Sequence, residues 1–525
     1  MTAPAPIYHA PIHGPIYRDL IARGARAHRD RTAMIVGDRD HTFGDVDDRA
    51  NRLARALIAA GATRGTRIAI LLDNGPDSIP VDFALAKAGL NKVPLNARLS
   101  LDEHVRMVAG ARVDLLLYGA SLAERARHLG DALPALRPLG IGTTAAGGDD
   151  LDALAATQEP TDPNVALSGE DVVLTLYTSG TTAVLKAAQH TQASYAAVCR
   201  NVLTNLMPIA PDERMLHAAS LIHASGTFVL PLWLRGACSV VLPGFDPAAF
   251  LAAVERHRAT AINLVPTMLQ MLLDHPAIDA HDLSSLRHIV YGASPMPRPL
   301  IERAMRRFGQ ERFWQYYGQT EVPLCIAVQR PEDHGAERLG VCGRASVDVE
   351  IRLLDEDGRD TGDGPGEIAV RAPSAAIGYD GAPELSAATF GADGWVRTRD
   401  VGVIDDAGFL RLLDRTSDMI VTGGYNVYPR EVEDALLGHP AVAEAAVVGA
   451  PDPKWIEAVV AFVVLRPDTV CEPADLIAHV AARIASYKKP HRIIVTDTLP
   501  KTAIGKLDRK VLRQRLAAAT TPPPG

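Results

Sequence analysis

Three observations predict an α/β protein built in two domains. Helix-spaced and strand-like apolar segments alternate along most of the chain, the pattern changes near residue 417, and the 525 residues outrun a single hydrophobic core. One core stops growing beyond about 250–300 residues. The expectation is a large N-terminal domain of α/β subdomains with mainly parallel sheets over residues 1–416, then a small α+β domain over 417–518.

The elements follow in order. Val46, Ala50, Leu53, Ala54 and Leu57 recur at helical spacing within residues 43–61, and Gly61 is placed to stop that helix. Residues 67–72 carry a short apolar run before the Asn74-Gly75-Pro76 turn, the mark of a buried strand. A helix over 81–88, a strand ending near Val93 and a helix over 102–109 continue the alternation. The stretch 134–163, rich in Gly, Ala, Thr and Pro, reads as a surface loop. After Gly423-Gly424 come a helix (431–437), two strands (444–448 and 458–465) and a helix (473–485), enough for a second core. Residues 519–525 read as a disordered Pro-rich tail.

Composition narrows the function classes. The net charge is −8, from 54 basic and 62 acidic residues with no basic stripe, so nucleic acid is not an expected partner. The five cysteines are widely spaced and form no Cys-x-x-Cys pair, which argues against a disulfide framework or a zinc site and fits a reducing cytoplasm. The first residues carry no basic segment leading into an apolar one, and no run approaches the roughly 18 apolar residues of a membrane span. A soluble protein is expected.

The most visible chemical feature is Tyr177-Thr178-Ser179-Gly180-Thr181-Thr182, placed after a strand-like segment and followed by Lys186. Backbone N–H groups, hydroxyls and an ammonium in one loop suit a polyphosphate, although the Walker A spacing is absent. Further along lie Tyr291-Gly292-Ala293-Ser294-Pro295, Tyr316-Tyr317-Gly318-Gln319-Thr320-Glu321 and Trp395-Val396-Arg397-Thr398-Arg399-Asp400. Then come Asp414-Arg415-Thr416-Ser417-Asp418, Gly423-Gly424-Tyr425-Asn426 and Pro500-Lys501-Thr502-Ala503-Ile504-Gly505-Lys506. In this order the set resembles the adenylate-forming superfamily of acyl-CoA synthetases, stand-alone adenylation domains and luciferases, over nearly the whole chain. In look it stands nearest to fatty-acid or aryl acid:CoA ligases.

The resemblance implies roles. Thr178, Ser179, Gly180, Thr181 and Thr182 cradle the ATP phosphates with Lys186, while Gly292, Ala293, Ser294, Tyr316, Tyr317 and Gly318 surround the adenine. A core-packed tyrosine is the rival reading at Tyr317. Thr320 and Glu321 act at the phosphates, Glu321 being able to hold Mg²⁺ bridged to ATP, because a carboxylate suits a hard cation. Asp400, an acceptor-only carboxylate, takes the ribose hydroxyls with Arg415 beside it. Lys506 stabilises charge as the carboxylate attacks the α-phosphorus, whereas Lys488, Lys489 and Lys501 read as solvated. His223, Ala224 and Gly226 line the acid pocket, with a satisfied core histidine the alternative at His223, and the small side chains suggest room for a bulky acid. Ser417 is the pivot of a mobile C-terminal domain, and Gly423, Gly424 and Tyr425 face CoA.

Two departures stand out. Relatives place glycines and a proline where this chain has Ala183, Leu185 and Ala187, and alanine at φ > 0 costs about 1 kcal/mol or more, so the loop uses ordinary dihedrals or is strained. Ser417 replaces the usual charged hinge residue. The expected activity is ATP- and Mg²⁺-dependent acid:CoA ligation through an acyl adenylate, with a small-molecule carboxylic acid and coenzyme A as substrates. Transfer to a separate carrier protein, an amine or nitrite stays open, as does a catalytically impaired homologue that only binds nucleotide. A homodimer stays open too.

Overall fold

The computed structural model describes residues 14–178, 186–222, 224–294, 296–362, 364–416, 418–422, 425–467, 469–502 and 507–520, with backbone alone at 178 and 518–520. Its strands form sheets of thirteen, eight and five strands among the described residues.

The helix Phe43–Ala59 forms where the apolar spacing places it. The Thr42 hydroxyl accepts from the Asp45 N–H and the Asp45 carboxylate answers the Thr42 backbone, a capping box, while Gly61 just beyond the end takes φ +97°. Arg67–Leu71 is buried beyond its first residue and runs parallel to both Asn91–Pro94 and Leu115–Gly119. The expected helices near 81–88 and 102–109 are Ser78–Ala88 and Leu101–Gly110.

Parallel pairing dominates one end of each large sheet. In the thirteen-stranded sheet it runs through Thr32–Val36, Cys238–Val241, Arg214–His217, Ala261–Leu264, His288–Gly292 and Phe313–Tyr317. Beyond Phe313–Tyr317 the same sheet continues antiparallel through Ala327–Gln329, Gly343–Ala345, Phe409–Arg415, Val396–Ile404, Gly366–Arg371 and Glu350–Leu354. The sheets are therefore mixed. Short connections such as the one from Phe313–Tyr317 to Ala327–Gln329 cannot hold the crossover helix that a parallel neighbour requires. The eight-stranded sheet ends likewise in two antiparallel strands, Lys186–Thr191 and Gly378–Tyr379.

The stretch 134–163 is not the loop its composition suggested. Arg137–Ile141 adds parallel to Leu115–Gly119, and the helix Leu151–Ala156 buries Leu151 and Ala155. Its glycines serve close chain passage: a Cβ at Gly140 would lie 1.8 Å from the Thr143 carbonyl oxygen. Between the large sheets the Trp233 ring lies tilted against Phe43, 4.4 Å between ring centres, and donates its indole N–H to the Ile21 carbonyl at 2.8 Å.

The five-stranded sheet, from Ile420 onward, has its own core. Val432 and Leu436 of the helix Pro429–Leu437 pack on Val447, Val459, Ala461 and Val463, with Leu476 and Val480 of the helix Pro473–Ala481. That second helix stops short of the expected 485. The final helix, Arg509–Thr520, covers the opposite face with Leu512 and Leu516 and extends into the expected tail; residues 521–525 lie outside the described residues.

Charge fixes this helix within the small domain. Arg509 pairs with Glu433 at 2.7 Å and Asp418 at 3.8 Å, and Arg513 reaches Asp418 at 2.6 Å. The Asp414 carboxylate accepts from the Arg430 N–H at 3.0 Å, joining the last strand of the large sheet to the helix Pro429–Leu437. Arg509→Met leaves Glu433 buried without its guanidinium, and removing one partner of such a pair costs about 3–5 kcal/mol. Urea unfolding of the full chain should show a loss of that order; a loss below about 1 kcal/mol would mean that the cluster is not structurally essential.

Candidate functional site

The strand Phe313–Tyr317 brings the proposed adenine and ribose residues together. The buried Tyr317 hydroxyl donates to Asp400 Oδ2 at 2.6 Å. Burial first, and the negative Asp400 second, push the phenol well above its usual range, so it stays protonated and donating. Asp400 lies directly opposite Arg415 in the hairpin of Val396–Ile404 and Phe409–Arg415, with Arg415 Nε 3.3 Å from Asp400 Oδ1. Thr398 braces the turn, accepting from the Asp400 N–H at 3.1 Å and donating to the Ile368 carbonyl at 2.7 Å. Tyr317 is thus buried with its hydroxyl on the carboxylate.

Backbone closeness explains two of the glycines. Gly292 lies opposite Tyr316 across neighbouring parallel strands, where a Cβ would meet the Tyr316 carbonyl oxygen at 2.5 Å. A Cβ on Gly318 would meet the Leu324 carbonyl oxygen at 2.3 Å. Between them Ala293 holds φ +62°, left-handed without being glycine, and Ser294 follows half-buried. Tyr316 is buried, and its phenol is pushed up to about 12 by desolvation.

Past Gly318 the chain turns through Thr320 and Glu321. His190 Nε2, 2.8 Å from the Thr320 carbonyl, must donate to it; the Ala376 N–H donates to the Glu321 carbonyl at 2.8 Å. The Tyr379 hydroxyl donates to Glu321 Oε1 at 2.5 Å. Lys186 begins the strand Lys186–Thr191 opposite Thr178, and its Nζ lies 5.6 Å from the centre of the Tyr379 ring. Ala187, paired with Tyr177, is in an ordinary strand, so the departure from glycine there costs no left-handed strain. Among the described residues no three His, Cys, Asp or Glu side chains gather into a metal-binding group. Glu321 is a single buried carboxylate.

At the expected acid pocket, Ala224–Phe228 forms a short 3₁₀ turn in which the buried Ser225 hydroxyl lies 2.9 Å from Nδ1 of the buried His217. Gly226 is small for a reason other than substrate room: a Cβ there would lie 1.9 Å from the Leu221 carbonyl oxygen. Tyr425 is 58% exposed and stacks on Tyr487 at 4.7 Å in the five-stranded part of the chain. Lys488 is not solvated, as expected from sequence, but holds Glu431 at 2.6 Å; Lys501 lies 3.0 Å from Glu444 at half-exposed positions.

Ser179, Gly180, Thr181, Thr182, Ala183, Leu185, His223, Ser417, Gly423, Gly424 and Lys506 lie outside the described residues, as does the Thr178 side chain. The described site residues form two groups, Tyr317–Asp400–Arg415 and Lys186–Thr320–Glu321, joined through the Gly318 backbone. Sequence reasoning missed Tyr379 and His190. The Gly378-Tyr379 pair has no periodicity to betray it, and His190 sits inside a strand pattern as any buried residue would.

Comparison with known proteins shows the family. Residues 21–380 match the family described as AMP-binding enzyme, and residues 431–506 match the AMP-binding enzyme C-terminal domain. The chain is 38% identical to the medium/long-chain-fatty-acid--CoA ligase FadD8 of Mycobacterium tuberculosis, over 94% of this chain and 89% of that protein. It is also 38% identical to a feruloyl-CoA synthase of an Amycolatopsis species, over 94% and 97%. The solved structure of the amide bond synthetase McbA from Marinactinospora thermotolerans superposes with a TM-score of 0.88 at 31% identity, covering 95% of this chain and 99% of that one.

Burial holds His190, His217 and His334 neutral, lowering each from the usual 6.5 to about 4. Between pH 6.5 and 4 the unfolded chain takes up protons that the folded chain refuses, so stability is full above pH 6.5 and falls as the pH drops towards 4. Each histidine contributes a slope of about 1.4 kcal/mol per pH unit in that window. Urea unfolding from pH 7 to 4.5 should therefore steepen with acid, and His190→Gln should remove about one proton's worth of that slope. An unchanged slope would mean that His190 titrates alike in both states.

Proposed function

The chain belongs to the AMP-binding enzyme family and is an ATP-dependent acid:CoA ligase, and from that premise we propose how its residues share the two half-reactions. Asp400, held by Tyr317 and flanked by Arg415, accepts from the ribose hydroxyls of ATP. The Gly292–Ala293–Ser294 backbone and Tyr316 face the adenine, while the hydroxyls and N–H groups of 178–182 and Lys186 take the phosphates. Glu321 fits Mg²⁺: it is a buried carboxylate, and among the described residues no cation pairs with it. Bound with ATP, the ion supplies charge that offsets the phosphates. Thr320 carries Glu321 into place.

The substrate carboxylate oxygen attacks the α-phosphorus, the bond to the bridging oxygen breaks and pyrophosphate leaves. Lys506 meets the negative charge that grows during this step. In the second half the CoA thiolate attacks the acyl carbon and AMP leaves with the carboxylate-derived oxygen. The small domain, 417–518, turns about Ser417 between the two steps and brings the segment of Gly423, Gly424 and Tyr425 towards CoA. The observation that carries this reading is the direct Tyr317–Asp400–Arg415 contact, one residue along the strand from Tyr316, which pairs with Gly292.

The acid is a hydrophobic one, fatty or aryl, a class supported by the fatty acid and feruloyl substrates in the names of similar ligases. His223, Ala224 and Gly226 contribute to its pocket. A second reading moves the acyl group to an amine, supported by the likeness to an amide bond synthetase. A separate carrier protein would serve the same step. The free cysteines support a reducing cytoplasm.

Lys506→Ala should lower acid-dependent pyrophosphate release by roughly 10²-fold or more while thioester formation from supplied acyl adenylate survives. Equal loss in both half-reactions would remove Lys506 from its assigned role. Across fatty and aryl acids with CoA or an amine present, mass spectrometry of the product should show the thioester; amide alone would select the second reading.

A further inference from the structure

Tyr379 stands between two opposite charges that do not pair. Its hydroxyl is 2.5 Å from Glu321 Oε1, and Lys186 Nζ sits 5.6 Å from its ring centre. Among the described residues neither Lys186 nor Glu321 forms an ion pair with any partner, although one tyrosine touches both. Direct pairing would cancel an ammonium meant for phosphate against a carboxylate meant for a cation.

The tyrosine is delivered by a constrained segment. Gly378 takes φ +150°, which side chains disfavour, and Gly378–Tyr379 pairs antiparallel with Gln189 and Ala188. The Ile377 N–H donates to Gln189 at 2.9 Å and the Asp380 N–H to Ala187 at 2.8 Å. Asp380 is gripped by both terminal nitrogens of Arg67, at 2.5 and 3.0 Å, so the segment is tied to the centre of the eight-stranded sheet. Tyr379 is buried, and a phenol is neutral. It can orient the carboxylate by one hydrogen bond without removing its charge, where a lysine or arginine in the same place would compete with a metal.

We infer that Tyr379 is a positioning residue for adenylation: its hydroxyl fixes Glu321 for the divalent cation that accompanies ATP, and its ring keeps Lys186 apart from that carboxylate. The inference rests on the reading of Glu321 as the Mg²⁺ residue.

Tyr379→Phe keeps the ring and deletes the donor. The half-saturating free Mg²⁺ for acid-dependent pyrophosphate release should rise roughly tenfold, high Mg²⁺ should restore the rate, and the KM for the acid should not move, since loss of an outer partner weakens metal binding by about 10- to 100-fold. Calorimetric binding of a non-hydrolysable ATP analogue, with Mg²⁺ and with EDTA, gives the same comparison without turnover: the variant should keep its affinity in EDTA and lose most of the gain that Mg²⁺ gives the unsubstituted enzyme. An unsubstituted enzyme that responds to Mg²⁺ together with a variant whose response is unshifted, or whose rate falls equally at every Mg²⁺ concentration, would overturn this inference alone. No Mg²⁺ dependence in the unsubstituted enzyme would overturn the Glu321 assignment and this inference with it.

Discussion

A carboxylate buried without a cation has to be held by donors, and the Glu321 turn is where the two large sheets jointly meet that requirement. The thirteen-stranded sheet supplies the turn at the end of Phe313–Tyr317. The eight-stranded sheet supplies His190 to the Thr320 carbonyl and Tyr379 to the Glu321 carboxylate, both from its antiparallel edge. Because the inner of the two strands at that edge begins at Lys186, the Lys186 ammonium and the Glu321 carboxylate are set relative to one another by strand pairing. The same logic recurs at Asp400, whose carboxylate is oriented by a neutral phenol and approached by Arg415 from the facing strand.

The residues that hold these two carboxylates are separate in sequence from the altered positions Ala183, Leu185 and Ala187. The residues that set distances, Tyr317, Tyr379, Asp400 and Glu321, lie on sheets or at their ends, outside the altered stretch. Where that stretch rejoins the sheet, Ala187 is an ordinary strand residue, so the departure from glycine carries no backbone penalty there. Placement of the chemistry and composition of the loop are therefore largely separable.

Much of this was legible in the sequence. The ordered motifs pointed to the family, and the strand at 67–72 and the helix before Gly61 were readable because an apolar pattern and a following turn or glycine stop agreed. Pairing was not. Nothing in a linear pattern indicates that Gly378-Tyr379 forms a two-residue strand against Ala188 and Gln189, or that Tyr317 spends its hydroxyl on Asp400. Reading 134–163 by composition failed because its glycines mark close chain passage next to a real strand, not a free loop. Lys488 looked solvated because its partner, Glu431, lies on a distant helix.

The chemistry assigned to this site has a consequence at the level of single atoms. If a carboxylate oxygen attacks the α-phosphorus and AMP later departs with it, a substrate acid labelled with ¹⁸O in its carboxylate should transfer one labelled oxygen to AMP per thioester formed. Mass spectrometry of the AMP released in a turnover with an accepted fatty or aryl acid would read this directly. Singly labelled AMP with unlabelled pyrophosphate is the expected result; label in inorganic phosphate beside ADP, or unlabelled AMP, would contradict activation through an acyl adenylate.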